Sequence, residues 1–497
     1  MLENHFLQTM DSFSLIPDFT DLCNLYHCEE FTKKSHQFKF SFTTHPKILI
    51  NQFLLTLNTS SLKLPTTKSN QDLGSGLNTV HLVKILLCFA STSNLGGNMA
   101  RSKVGLGSGA RLTDYLSTGV LARAFPAAII NEELDAHHCN SERVRTFPAS
   151  AVVYYTMALS LYSEAAYEAV FAAVAQGLAW QEQKPMAPVT VVKSAISKAR
   201  SRLTWKALHA IAQRCLRPLA QPEHAHAFFA GYRLVAMDGS NFEVPDEEAN
   251  VQAFGYPGSR TGQAGYPQAQ CAILTECASH AILDAELGAY KQAEWEVAAP
   301  LLRSLTPDML CMADRGFVGY AHWQAGLQTG AQLLWRMPKS LILPVEQLLD
   351  DGSYLSHLYP SERDRRKRIN GIAIRVIEYV LPQGPKSEPM YRLVTTLLDD
   401  RCAPAQDLAQ LYHERWEVEL VFDELKTHLG HRRRVLRSKT PELVRQEFYG
   451  WVMAHYAVRW LMYQGATQAD IPDRTVSFTA TVQLVRRILP QSGALPP

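Results

Sequence analysis

The hydrophobic pattern divides the chain into stretches of different period. Between Arg143 and Trp180 long apolar runs, broken at Ser163 and Glu164, predict helices. Pro148 suits a helix start and Gly177 a stop. Thr190 is a plausible N-cap for a further helix reaching residue 215. That helix carries Lys193, Lys198, Arg200 and Arg202, with Lys198 and Arg202 four apart and therefore on one face. Such a face reads equally as a solvated surface or as a place for DNA to dock.

From about residue 230 the period shortens. Runs at 233–238, 268–277, 281–290, 308–314 and 333–337 are short and β-rich, with helical connectors at 293–305 and 320–330. Several strands precede the first clear helix, which predicts a mixed sheet opening with antiparallel hairpins. Residues 340–400 lose the helical signal. Alternating runs at 371–381 and 389–399, punctuated by Gly352, Gly371 and a Gly-Pro-rich stretch, predict a β-rich insertion. Residues 403–430 then read as one helix, with Pro404 near its start and Gly430 at its end, followed by a mixed apolar helix from about 441.

Composition changes this picture at one place. Residues 1–98 hold no arginine, no tryptophan and a single alanine, Ala90, whereas every arginine and all 8 tryptophans lie beyond Met99. The break predicts that 1–98 is a non-native upstream extension or a disordered arm, with Met99 as the natural start. The expected division is 1–98, a helical DNA-binding part at 99–225, a first core part at 226–338, the insertion at 339–402, a second core part at 403–470 and a tail at 471–497. A net charge of +2 means that any nucleic-acid footprint must be local, as in the basic runs 363–368 and 431–439. The second run includes Arg432, Arg433 and Arg434. The cysteines form no CxxC pair, so zinc and redox motifs are not supported and a reduced, cytoplasmic chain is expected. No signal peptide or membrane span is expected, since the longest apolar stretch, 149–161, falls short of the ~20 residues that cross a bilayer.

The candidate chemistry lies in three carboxylates. Asp238 and Asp314 each close an apolar run, as acids at the tips of buried strands would. Tyr412, Arg415, Glu419 and Lys426 read Y-x2-R-x3-E-x6-K, and at ~100° per residue they fall within about 60° of one another. Two cations, a phenol and a carboxylate on one stripe suit a phosphate and a metal ion. Acids from two strands and a helix can hold divalent metals, and two such ions can drive phosphoryl transfer on a nucleic-acid backbone. Hard oxygen ligands favour Mg²⁺, two per site, with Mn²⁺ able to substitute. Arg415 can grip a phosphate bidentately, Lys426 adds a point charge and Tyr412 can donate a hydrogen bond. Asp423, one turn on, could assist or pair with Lys426, and His428 and His431 read as surface residues beside phosphate.

These residues resemble the DDE transposases of the insertion-element-four family, whose Y-R-E-K signature is matched at unbroken spacing and whose two aspartates match Asp238 and Asp314 in order. The helical region around 154–174 is similar to that family's N-terminal domain. The resemblance implies an α/β fold with a ribonuclease-H-like catalytic core interrupted by a β-rich insertion and preceded by an α-helical N-terminal domain. It implies Asp238, Asp314 and Glu419 as catalytic metal ligands, with Tyr412, Arg415 and Lys426 on DNA phosphates around a flipped base. Trp416 and Trp335 are candidate stacking partners for that base. The implied partners are double-stranded DNA, at the terminal inverted repeats and at the target, and a second copy of the chain in a synaptic homodimer. A bacterial cytoplasmic protein, nucleoid-associated when DNA-bound, is expected. A ribonuclease-H-like nuclease without strand transfer and a non-catalytic DNA-binding derivative remain as alternatives.

Overall fold

The computed structural model describes residues 114–141, 147–181, 191–258, 265–380, 390–415, 417–430 and 435–486. The expected division at Met99 lies outside them. Helices α1 (Asp114–Ala124), α2 (Ala127–Ala136), α3 (Ala149–Leu161), α4 (Tyr167–Gln181), α5 (Lys193–Arg200) and α6 (Trp205–Cys215) come first. Two expectations change here. Gly177 lies inside α4, where a Cβ would collide with the Thr118 side chain, so it permits close approach of α1 rather than ending the helix. The stretch to 215 is two helices: Thr204 accepts a hydrogen bond from the Ala207 N–H at 3.3 Å and so caps a fresh start after α5. Thr190 lies outside the described residues.

The sheet begins with β1 (Tyr232–Glu243), followed after α7 (Glu248–Phe254) by β2 (Gln268–Glu276) and β3 (Ile282–Ala289). Next come α8 (Glu294–Ala298), β4 (Met309–Ala313), α9 (Tyr320–Gln328) and β5 (Gln332–Arg336). β2 pairs antiparallel to both β1 and β3, while β4 lies parallel between β1 and β5. The order β3-β2-β1-β4-β5, with only β2 reversed, is the ribonuclease-H-like arrangement. The antiparallel β2–β3 pair closes by a tight turn and α7 lies in the longer β1–β2 connection, whereas the parallel pairings of β4 and β5 need crossovers, which carry α8 and α9.

Four further strands extend the same sheet: β6 (Gln347–Leu348), β7 (Tyr354–Leu358), β8 (Ile372–Val380) and β9 (Met390–Thr395). β9 pairs antiparallel with β5, Val394 opposite Trp335, so this region is continuous with the first five strands. It also contains a short helix that the strand-like pattern hid, α10 (Glu362–Lys367). Ser361 caps it at the Asp364 N–H (3.1 Å), acids fill its first turn and bases its last, as its dipole favours.

The 403–430 stretch is not one helix. It is α11 (Ala405–Glu414), then α12 (Glu417–Asp423), then a π-helical turn over Glu424–Leu429. Bonds of i→i+3 type, Arg415 N–H to Tyr412 C=O (3.2 Å) and Val418 N–H to Arg415 C=O (3.0 Å), tighten the junction before the π turn widens the coil. Helix α13 (Pro441–Ala469), capped by Thr440, and α14 (Phe478–Arg486) close the described chain.

Helix α3 is apolar on all sides and almost wholly buried, which requires partners all round. It packs on α1, α4 and α13. At its crossing with α13 a Cβ on Gly450 would stand 2.6 Å from the Thr156 carbonyl oxygen. The backbone there cannot swing aside, so Gly450→Ala is expected to lower stability by about 1–3 kcal/mol. A fall in the urea midpoint checks this, and an unchanged midpoint would refute the close crossing.

Candidate active site

Strand register brings the two aspartates together. β1 and β4 run parallel, with Met237 opposite Ala313 as their last pair. Asp238 and Asp314 are the next residues on each, so they leave neighbouring strands side by side, on strands ~4.8 Å apart. Asp238 is not at the tip of β1, as its apolar run suggested. The strand continues to Glu243 because its other edge stays paired to β2, Asp238 opposite Ile273. Asp314 does end β4 and starts a 3-10 turn over Arg315–Phe317.

The Y-R-E-K residues meet this pair from above. Tyr412, only 1% exposed, donates its hydroxyl to the Ala313 carbonyl and to Asp314 Oδ1, each at 3.4 Å. It therefore stands behind Asp314 rather than on an open phosphate surface. Arg415, 4% exposed, places Nη1 3.3 Å from Asp238 Oδ2, while its Nε is buried with no acceptor among the described residues. Lys426 reaches from the π turn to the Ser240 hydroxyl and lies over the rings of Phe242 and Phe422. Glu419 is exposed on α12, which packs on β1. Its charge acts on both Asp238 and Arg415.

Burial pushes the Asp238 carboxyl above the usual carboxylate range, and Asp314 and Glu419 add to this; Arg415 and the Gly239 N–H pull the other way. Burial likewise pushes Lys426 below the usual amine range. Among the described residues no three acid, His or Cys side chains close on a common point as they stand. Asp238 is turned to Arg415, and Asp314 to Tyr412 and to Arg336, whose Nη1 is 3.6 Å away.

The other sequence candidates fall differently. Lys198 and Arg202 are exposed, on α5 and just past it, whereas Arg200 is buried and donates to Ser438 and the Leu443 carbonyl. Trp335 is fully buried against Trp323 and Trp295, so it cannot stack on a base; β5 runs through the middle of the sheet and Leu333, Leu334 and Trp335 are all buried. Asp423 pairs with His428 (3.0 Å) rather than Lys426, and His428 also meets Thr479, which ties both to the fold. Arg432, Arg433, Arg434, Trp416 and His431 lie outside the described residues.

Two site residues carried no sequence motif. Arg336 ends the parallel strand β5 beside β4, the place where side chains of open parallel sheets converge. Glu294 opens the short α8 and sets its carboxylate over Gly239 and Gly316: a Cβ on Gly239 would stand 2.5 Å from Oε1, and one on Gly316 would meet Oε2 more closely still. Burial raises its carboxyl, and Asp238 and Asp314 raise it further.

A ribonuclease-H-like sheet with paired aspartates on β1 and β4 and a carboxylate on a later helix defines a DDE-type polynucleotidyl transferase. The transposase DDE domain model matches residues 229–457, and the insertion element 4 transposase N-terminal model matches 115–212. The chain is 30% identical over 306 residues to transposase InsG for insertion sequence element IS4 of Escherichia coli (strain K12), spanning 60% of this chain and 68% of that one. A solved piggyBac transposase synaptic complex with hairpin DNA aligns at a TM-score of 0.39 with 10% identity, over 76% of this chain and 80% of that one. The chain belongs to the IS4 family of DDE transposases, and it acts in DNA transposition as a DNA-cleaving and strand-transferring enzyme. Among the described residues no helix is long and apolar enough to cross a membrane.

Proposed function

We propose that Asp238, Asp314 and Glu419 hold two divalent cations, Mg²⁺ or Mn²⁺, and that the enzyme cuts DNA at the ends of its element and joins the freed 3′ ends to a target. The observation that carries this is the β1–β4 register, which puts two carboxylates at the ends of neighbouring parallel pairings with Glu419 on the helix packed over them. The donor set fits a hard cation, all carboxylate oxygens, while Cys271 and Cys311 are fully buried. When bound, such ions neutralise charge at the scissile phosphate and activate the attacking hydroxyl.

The chain's own residues do the rest. Tyr412 fixes the Asp314 carboxylate. Arg415 and Lys426 supply fixed positive charge beside the acids. Residues 226–338 and 403–470 make the catalytic core on this reading, and 99–225 with Lys198 and Arg202, together with Arg432, Arg433 and Arg434, track DNA phosphates. Two copies bridge the two element ends, in the cytoplasm and on the nucleoid.

The test uses a supercoiled plasmid carrying both element ends, and pre-cut ends offered with a target plasmid. Nicking that needs Mg²⁺, together with joined products from the pre-cut ends, is expected. Nicking without joining would leave a nuclease, and neither product would overturn the catalytic reading.

A further inference from the structure

We infer that Glu294, whose carboxylate lies over Gly239 and Gly316 close to Asp238 and Asp314 in the chain, is a fourth acidic ligand for divalent cation in this active site. The inference rests on the cation-holding role proposed above for those two residues.

The placement is specific. Glycine weakens a strand interior and marks a close approach by another group. Here Gly239 follows Asp238 within β1 and Gly316 lies two residues past Asp314. The Glu294 carboxylate fills the space over both, one oxygen toward each. Its helix is anchored independently. The Trp295 ring stacks on His322 with centroids 4.0 Å apart, and Glu296 turns back to the Ala293 N–H at 3.4 Å to cap α8. Glu296 is thus used by the fold, while Glu294 is left facing the acids.

The local charge balance favours a cation beside Glu294. Asp238 and Asp314 each have a guanidinium within ion-pair distance, Arg415 and Arg336. Buried Asp284 has Arg303, and Glu424 has Arg459. Glu294 is half-buried, feels the like charges of Asp238 and Asp314, and has no hydrogen-bond donor or cation partner among the described residues. Holding a carboxylate there costs stability, since like charges at this range repel and burial removes water. A hard divalent cation among the acids reverses the sign of that interaction, because each carboxylate then faces +2 rather than its neighbours.

Two consequences of opposite sign follow for Glu294→Gln, which keeps size and removes charge. The metal-free variant should unfold at a higher temperature than wild type. Its affinity for Mn²⁺ should fall by about tenfold or more, read from free Mn²⁺ by electron paramagnetic resonance and from the metal-induced rise in melting temperature. Glu294→Asp should show an intermediate affinity. Mg²⁺-dependent plasmid nicking by Glu294→Gln should fall as well, and recover in part at higher Mg²⁺. A purely structural Glu294 would give the reverse pattern, a less stable metal-free protein with unchanged Mn²⁺ affinity, and would overturn the assignment. Asp314→Asn is run alongside. If it loses Mn²⁺ binding while Glu294→Gln does not, only the role of Glu294 falls; if both keep wild-type affinity, the cation site itself is wrong.

Discussion

Asp238→Asn, Asp314→Asn and Glu419→Gln are each expected to lower end cleavage by about a thousandfold or more, while binding of element-end DNA should stay close to wild type. Losing the several kcal/mol of transition-state charge stabilisation that bound cations provide corresponds to that factor, at 1.4 kcal/mol per decade. The three variants differ in what else they disturb. Asp238→Asn leaves the buried Arg415 without its anion, and Asp314→Asn leaves the Tyr412 hydroxyl with an amide oxygen to bond. Glu419 is exposed, with no hydrogen bond or ion pair among the described residues, so Glu419→Gln should change stability by no more than about 0.5 kcal/mol. It is the cleanest of the three. Plasmid nicking and gel shifts of end DNA measure the two activities separately. Near-normal nicking by any one variant removes that residue from the site.

Glu424→Gln is expected to cost about 3–5 kcal/mol. Glu424 lies in the π turn five residues past Glu419 and is 6% exposed. It accepts from Arg459 Nε at 3.0 Å and meets His455 Nε2 at 2.8 Å, with His280 Nδ1 3.6 Å away. His280 in turn binds Glu417 at 3.0 Å. Removing one partner of a buried pair leaves the other charge uncompensated, here Arg459, and that is the costly case. The network ties both ends of the Glu419 segment to α13 and to the β2–β3 turn, so cleavage should fall along with stability.

The pH dependence has a definite sign. Burial pushes the Glu424 carboxyl up, but Arg459, His280 and His455 outweigh it and hold it well below the usual range. A carboxyl depressed in the folded state contributes stability that is complete above its unfolded value of about 4.3 and is lost as pH falls below it. Burial also holds His455 below the ordinary imidazole range, so its contribution is complete above about pH 6.5 and declines on acidification. Urea midpoints should therefore drop more steeply with acid for wild type than for Glu424→Gln. A loss under about 1 kcal/mol at neutral pH would mean that Arg459 is not dependent on this partner.

The pattern of Tyr412, Arg415, Glu419 and Lys426 was legible because its spacing is local. The Y-x2-R-x3-E-x6-K pattern needs only helical turns to bring its members to one side, and Tyr412, Arg415 and Lys426 do reach β4 and β1 from that side. Even there the local rule was imperfect, since the coil tightens at Arg415 and widens over Glu424–Leu429. Glu294 was invisible for the opposite reason. It is one of two glutamates in a short helix, and only the turn of Glu296 toward the cap separates their roles. Trp335 was misread because an aromatic near a motif carries no record of which way it faces.

By itself the amino-acid sequence determined the succession of helical and strand periods, the two aspartates closing apolar runs, the four-residue signature and hence the family. Those features depend on neighbours within a turn or two. Only the tertiary structure decided that Met237 lies opposite Ala313, that β9 joins the insertion to the same sheet through β5, and that Glu294 and Arg336 face the acids. Strand partners and side-chain directions are chosen by packing between segments tens to hundreds of residues apart, and no short window of sequence carries that information.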